Sequence, residues 1–234
     1  MRLDRYLAEA GKGTRSEVKK IIAGRRVSVN STIVTDPGYK VKEGADLVML
    51  DETAVRFETV EYFMLNKPQG VISATKDLRD KSQTCVTDLI TDKVRGDLFP
   101  VGRLDKDTEG LLIITNDGDL AHRMLSPKKH VDKTYYAELD GRLEEADAER
   151  IMAGIDIGDA KPTLPCEINM LTGQSLLITI REGRYHQVKR MFQAVGRNVT
   201  ALRRISMGPL TLDPDLEPGG YRRLTEQEIE MLKS

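Results

Sequence analysis

"GRLDKDTEGLLIIT", residues 102–115, packs three acids and two bases into its first eight positions and then turns apolar. Asp105, Asp107 and Glu109 alternate ahead of Gly110, a pattern that suits metal ligands, a solvated turn or a catalytic carboxylate. The run "GLLIIT" that follows is a short apolar segment bounded by polar residues, which reads as a buried strand. A charged loop delivered by a rigid buried strand is therefore the first element of the fold.

Outward from that strand, other strands dominate residues 61–215. "EYFMLNKPQGVIS" gives a strand, a turn around Pro68 and Gly70, and more strand, while "TYYAEL" and "SLLITI" alternate as strands. "EEADAERIMAGI" and "RYHQVKRMFQAVG" read as helices, the second with Val188, Met191, Phe192 and Val195 on one face. "LTEQEIEML" closes the chain as a Thr-capped helix, and "KDLRDKSQT" (76–84) is a charged loop. The class is α+β with a largely antiparallel mixed sheet. Residues 1–50 form a compact module of their own: "TRSE" (14–17) is a capping box, Gly24 stops the helix, and "RRVSVNSTIV" is a hairpin. Residues 51–60 read as a linker and 61–234 as the main domain.

Composition narrows the function. With 39% hydrophobic and 31% charged residues the chain is a soluble globular protein with an adequate core, and no run reaches the length of a membrane span. The opening "MRLDRYLAEAG" is too charged for a secretory leader. The two cysteines, Cys85 and Cys166, read as ordinary buried thiols in a reducing cytoplasm. Net charge is −1, but residues 1–50 carry ten Lys or Arg against six Asp or Glu. Residues 184–206 hold Arg184, Lys189, Arg190, Arg197, Arg203 and Arg204 with no acid. Two local positive patches on a neutral chain imply localised contact with a polyanion.

For the acidic loop, calcium fails. Asp105, Asp107, Glu109 and Gly110 fill positions of an EF-hand loop, but Asn116 stands where a bidentate Glu belongs and Ile113 where a water-linked ligand belongs. The turn and the catalytic reading stay open. Asp105 sits between Arg103 and Lys106, where a carboxylate can act as base or nucleophile. On the helix over 184–196, Arg190 points outward and Lys189 lies at the edge of the apolar face, where its ammonium gains from a carboxylate partner. No phosphate loop, HExxH or Cys/His ligand set is present, so no cofactor and no metal are expected.

Taken together, "NKPQG" (66–70), "GRLDKDTEGLL" (102–112), "KTYYAEL" (133–139) and "EGRYHQVKRMF" (182–192) resemble, in order and spacing, the motifs of bacterial RNA pseudouridine synthases of the RsuA type. Residues 1–48 resemble the α-L RNA-binding module shared with a small-subunit ribosomal protein, the S4-like domain. The resemblance covers nearly the whole chain. It implies that Asp105 is the essential aspartate, that Arg103 enters the RNA where the target base leaves, and that Tyr135 stacks on the uracil. It also implies that Lys189 pairs with the aspartate, in agreement with the helical-face reading. Arg15, Lys19, Lys20, Arg25 and Arg26 of the small module, with Lys67, Arg184, His186 and Arg190, are the expected RNA contacts. "HQVKRM" and the tail "LEPGGYRRLTEQEI" resemble the branch that modifies one uridine of 16S rRNA, the uridine-516 class. The expected partner is 16S rRNA or a small-subunit assembly intermediate, met by a monomer with no membrane and no cofactor. A branch acting on 23S rRNA, a non-catalytic assembly factor and a metal-dependent nuclease are the competing readings.

Overall fold

The computed structural model describes the chain apart from residues 56, 58, 59, 77–81, 127 and 128, so most of the charged loop expected at 76–84 lies outside the described residues. The chain folds as two units: Met1–Glu61 with Thr91–Leu98, and Tyr62–Ile90 with Phe99–Ser234.

The smaller unit contains helices α1 (Leu3–Glu9) and α2 (Arg15–Ala23) and strands β1 (Val27–Val29), β2 (Thr32–Ile33), β3 (Val48–Leu50) and β4 (Thr53–Ala54). The strands form one antiparallel sheet in the order β2-β1-β3-β4. The Thr14 amide donates to Glu17 Oε2 at 2.7 Å and the Glu17 amide to Thr14 Oγ1 at 3.3 Å, closing the expected capping box. Asn30 and Ser31 both have positive φ (48° and 66°), the backbone that a two-residue hairpin between right-twisted strands requires. Leu3, Leu7, Val18, Ile22, Val27 and Val48 fill the core.

The stretch read as a linker is partly sheet. β4 pairs with β3, and Val55 is buried in the small core. Burial of that valine outweighs the polar composition around it. Residues 91–98 return to this unit as well: Val94 packs against its core, and the Glu61 carboxylate accepts the amides of Val94 and Arg95.

The larger unit is built on strands β5 (Tyr62–Lys67), β6 (Phe99–Pro100), β7 (Glu109–Thr115), β8 (Lys133–Leu139), β9 (Glu167–Met170), β10 (Ser175–Ile180), β11 (Val199–Met207), β12 (Leu210–Thr211) and β13 (Tyr221–Arg223). Its helices are α3 (Gly118–Leu125), α4 (Glu145–Ala153), α5 (Gln187–Gln193) and α6 (Glu226–Lys233). The sheet runs β13-β5-β7-β11-β8-β10-β9, with β12 on β11 and β6 on β7. Among the strands described, β7 and β11 alone pair in parallel, so the sheet is mixed and largely antiparallel, as the pattern predicts. β5 and "GLLIIT" of β7 are buried throughout, as continuous apolar runs at a sheet centre must be. After the Pro68–Gly70 turn the expected further strand shrinks to one bridge, Ile72 to Cys85.

Gly110 is where the site loop meets the sheet. Its φ is +103°, and a Cβ there would lie 2.2 Å from the Arg204 carbonyl oxygen. Glycine lets β11 approach β7 one residue after the acidic loop ends.

Candidate active site

The loop 102–108 is pinned by its neighbours rather than by its own turn alone. Ser73 Oγ donates to the Leu104 carbonyl at 2.8 Å and accepts the Leu104 amide at 3.0 Å. The Thr108 amide donates to the Asp105 carbonyl at 3.1 Å, and the Gly70 amide to the Lys106 carbonyl at 2.8 Å. Beneath it, the fully buried Lys67 ammonium donates to the carbonyls of Pro68 (3.0 Å), Thr108 (2.9 Å) and Lys106 (3.4 Å). Burial pushes that ammonium down to about 8, against the opposing pull of Asp107, Asp105 and Glu109. Lys67 thus cannot reach RNA, contrary to its expected role: its charge is consumed by loop carbonyls inside the protein.

This bracing sets the Asp105 side chain, 28% exposed, against the start of α5. Its Oδ2 lies 3.4 Å from Lys189 Nζ and its Oδ1 3.5 Å from His186 Nε2. Lys189 is mostly buried, held at the helix edge by Val188, Met191 and Phe192 on the apolar side. The same ammonium donates to Asp107 Oδ1 at 2.5 Å and holds that carboxyl below the usual carboxylate range. Asp107, read from the sequence as a turn and solvent residue, is exposed yet makes the shorter of the two contacts to Lys189.

α5 begins later than the periodicity predicts because His186 adopts a left-handed conformation (φ 48°, ψ 35°) that no helix continues. Val188, Met191 and Phe192 are buried as expected, whereas Val195 falls past the helix end and is half-buried.

Tyr135 lies on β8, nearly buried, in register with the end of the acidic loop: it pairs with Arg204 on β11, which in turn pairs with Gly110 on β7. Arg103 is exposed and makes no hydrogen bond or ion pair among the described residues, leaving its guanidinium available. In the smaller unit Arg15, Lys19, Lys20 and Arg25 are exposed, Arg25 in a left-handed conformation, while Arg26 is paired to Asp51.

Two further expected RNA contacts are turned inward. Arg184 donates to the carbonyls of Lys161 (2.6 Å) and Pro162 (2.8 Å) and to Glu182 at 2.9 Å. Arg190, expected to point outward, donates to Asp159, to the Ile157 carbonyl and to the Tyr185 carbonyl. Asp159 is held below its ordinary value by Arg190 and Arg184. These two arginines tie an irregular segment to the start of α5 and do not present free charge. Among the described residues no three His, Cys, Asp or Glu side chains are placed to hold a metal ion, and no helix is long and apolar enough to cross a membrane.

A basic helix-and-hairpin unit, followed by a mixed sheet that offers an aspartate beside a lysine, describes an enzyme that acts on a nucleic acid. The chain belongs to the RNA pseudouridylate synthase family, whose pattern it matches over residues 61–194, and it matches the S4 domain over residues 1–47. It is 45% identical to a Bacillus subtilis (strain 168) protein described as an uncharacterized RNA pseudouridine synthase, covering 99% of this chain and 98% of the relative. It is 39% identical to the ribosomal small subunit pseudouridine synthase A of Escherichia coli (strain K12), covering 98% of each chain. A crystal structure of a pseudouridylate synthase superposes with a TM-score of 0.70 at 39% identity, over 99% of both chains.

Proposed function

We propose that the chain converts one uridine of 16S ribosomal RNA, of the uridine-516 class, to pseudouridine, with Asp105 as the catalytic carboxylate. The observation that carries the chemistry is the braced Asp105, 3.4 Å from Lys189 and 3.5 Å from His186. Full-length similarity to relatives named ribosomal small subunit pseudouridine synthase A supports the choice of RNA.

The reaction is an isomerisation. The bond from ribose C1′ to uracil N1 breaks, the base turns, a C1′–C5 bond forms, the C5 proton leaves and N1 gains a proton. The target uridine must first leave its stack, at a cost of a few kcal/mol. Arg103, free of internal partners, fills the gap in the RNA, and the Tyr135 ring on β8 meets the extruded uracil. Asp105 then either attacks C1′ as N1 departs and is itself displaced when C5 attacks C1′, or takes a ribose proton during departure and returns it as the C1′–C5 bond forms. Both routes use it as a carboxylate, and Lys189 supplies the counter-charge.

The S4 unit adds affinity. Arg15, Lys19, Lys20 and Arg25 present exposed charge for phosphates, which position RNA without reading its bases. Tethering this weak binder to the catalytic unit raises its effective concentration. The chain acts as a monomer in the cytoplasm, on 16S rRNA or on a small-subunit assembly intermediate. Mapping pseudouridines in ribosomal RNA from a strain lacking this chain tests the assignment: one small-subunit site is lost and is restored by the intact gene. Loss of a 23S site instead, with 16S unchanged, overturns the choice of RNA.

A further inference from the structure

Tyr185 is 74% exposed, the most exposed of the large hydrophobic side chains described. It is not loose. One face of its ring stacks on His186, with centroids 3.8 Å apart and an interplanar angle of 17°. His186 in turn reaches Asp105 with Nε2 at 3.5 Å. A phenol ring, an imidazole and the catalytic carboxylate are thus in series, and the free face of the phenol is turned to solvent beside the site.

The backbone under this stack is fixed from both sides. Arg190 Nη1 donates to the Tyr185 carbonyl at 3.1 Å, and the Arg184 amide donates to Gln187 Oε1 at 3.0 Å. Gln187 Nε2 donates to Glu182 at 2.8 Å, and His186 holds a left-handed conformation at φ 48°. A rigid aromatic face open to water has no structural benefit: the ring buries little surface and the segment is already tied down without it. It has a binding benefit, because a pre-ordered ring stacks a flat ligand with little further loss of freedom.

We infer that Tyr185, backed by His186, is a stacking platform for the nucleobase next to the target uridine. The inference rests on the pseudouridine synthase reading, since extrusion of one nucleotide is what leaves a neighbouring base with an uncovered face. The 3.8 Å ring spacing is close to the roughly 3.4 Å rise between bases along a strand, so a base laid on Tyr185 continues the Tyr185–His186 stack. Every base has a π-face, so the platform tolerates sequence and sets position: it locates the neighbour while Arg103 fills the gap. Stacking of one base on one aromatic side chain is worth about 5- to 150-fold in affinity.

The test uses the full chain and short RNAs containing whichever ribosomal site the unaltered protein modifies, so a wrong choice of 16S leaves it intact. Single-turnover rates are measured against protein concentration for wild type, Tyr185→Phe and Tyr185→Ala, each on RNA with an intact or an abasic nucleotide on either side of the target. Tyr185→Ala is expected to raise the half-saturating concentration about 5- to 150-fold with the maximal rate within about threefold, and Tyr185→Phe to stay within about twofold. An abasic neighbour on one side costs wild type the same factor and costs Tyr185→Ala nothing more. Half-saturation unchanged in Tyr185→Ala overturns the inference, as do penalties that multiply on both sides. A loss confined to the maximal rate also overturns it, since Tyr185 would then act on the extruded uridine itself. Failure of the unaltered protein to form pseudouridine in any ribosomal RNA would instead sink the underlying reading.

Discussion

Replacing Lys67 with Met gives a pH experiment whose size follows from the structure. The Lys67 ammonium is fully buried and its pKa falls from 10.5 to about 8, chiefly through desolvation. At about 1.4 kcal/mol per pH unit, that drop corresponds to about 3 kcal/mol of folding free energy. The folded state disfavours the charged form. Below pH 8 both folded and unfolded chains carry the charge, and the penalty is complete. Between pH 8 and 10.5 the folded chain releases its proton first, so the unfolded chain binds more protons and stability rises with pH. Lys67→Met has no such proton to release. Urea denaturation of both proteins from pH 7 to 11 is therefore expected to show wild type gaining about 3 kcal/mol on the variant, while the titrations common to both cancel. A difference that stays flat across that window refutes the burial of a charged amine under the site loop.

Other consequences are more local. Lys189→Met removes the ammonium that faces Asp105 at 3.4 Å and hydrogen-bonds Asp107, and lowers the single-turnover rate at saturating RNA by about 10- to 150-fold, the range for losing a charge-assisted contact. Gly110→Ala forces a Cβ to within 2.2 Å of the Arg204 carbonyl oxygen at φ +103°, and chemical denaturation is expected to show a loss of about 3 kcal/mol or more. Replacing Arg15, Lys19 and Lys20 together with Ala removes three of the proposed phosphate contacts, so the slope of log affinity against log salt is expected to become shallower by about 2 in filter-binding titrations.

Much of this site could be read before any coordinates. "GLLIIT" had to be a buried strand, the capping box at Thr14 and the Thr cap before "EQEIEML" had to start helices, and Lys189 had to sit at the edge of an apolar helix face. These are local signals, carried within about eight residues. What stayed illegible depends on distant partners. Lys67 looks like a surface cation until residues 106 and 108 bring their carbonyls to it. Arg184 and Arg190 look like RNA contacts until Asp159 and the carbonyls of 157, 161 and 162 claim them from an irregular segment. Likewise α1 has no side-chain cap to announce it, and the return of residues 91–98 to the small unit turns on the Glu61 carboxylate, far away in sequence. Asp107 shows the opposite error: its turn chemistry is genuine, yet its carboxylate shares the lysine with Asp105.

The most direct trial of the account is Asp105→Asn, which keeps the shape of the side chain and removes its charge. Binding to the target RNA should stay within about threefold, with pseudouridine at the mapped site falling below detection. If pseudouridine forms at the wild-type rate, a different group performs the chemistry and the assignment of Asp105 is wrong.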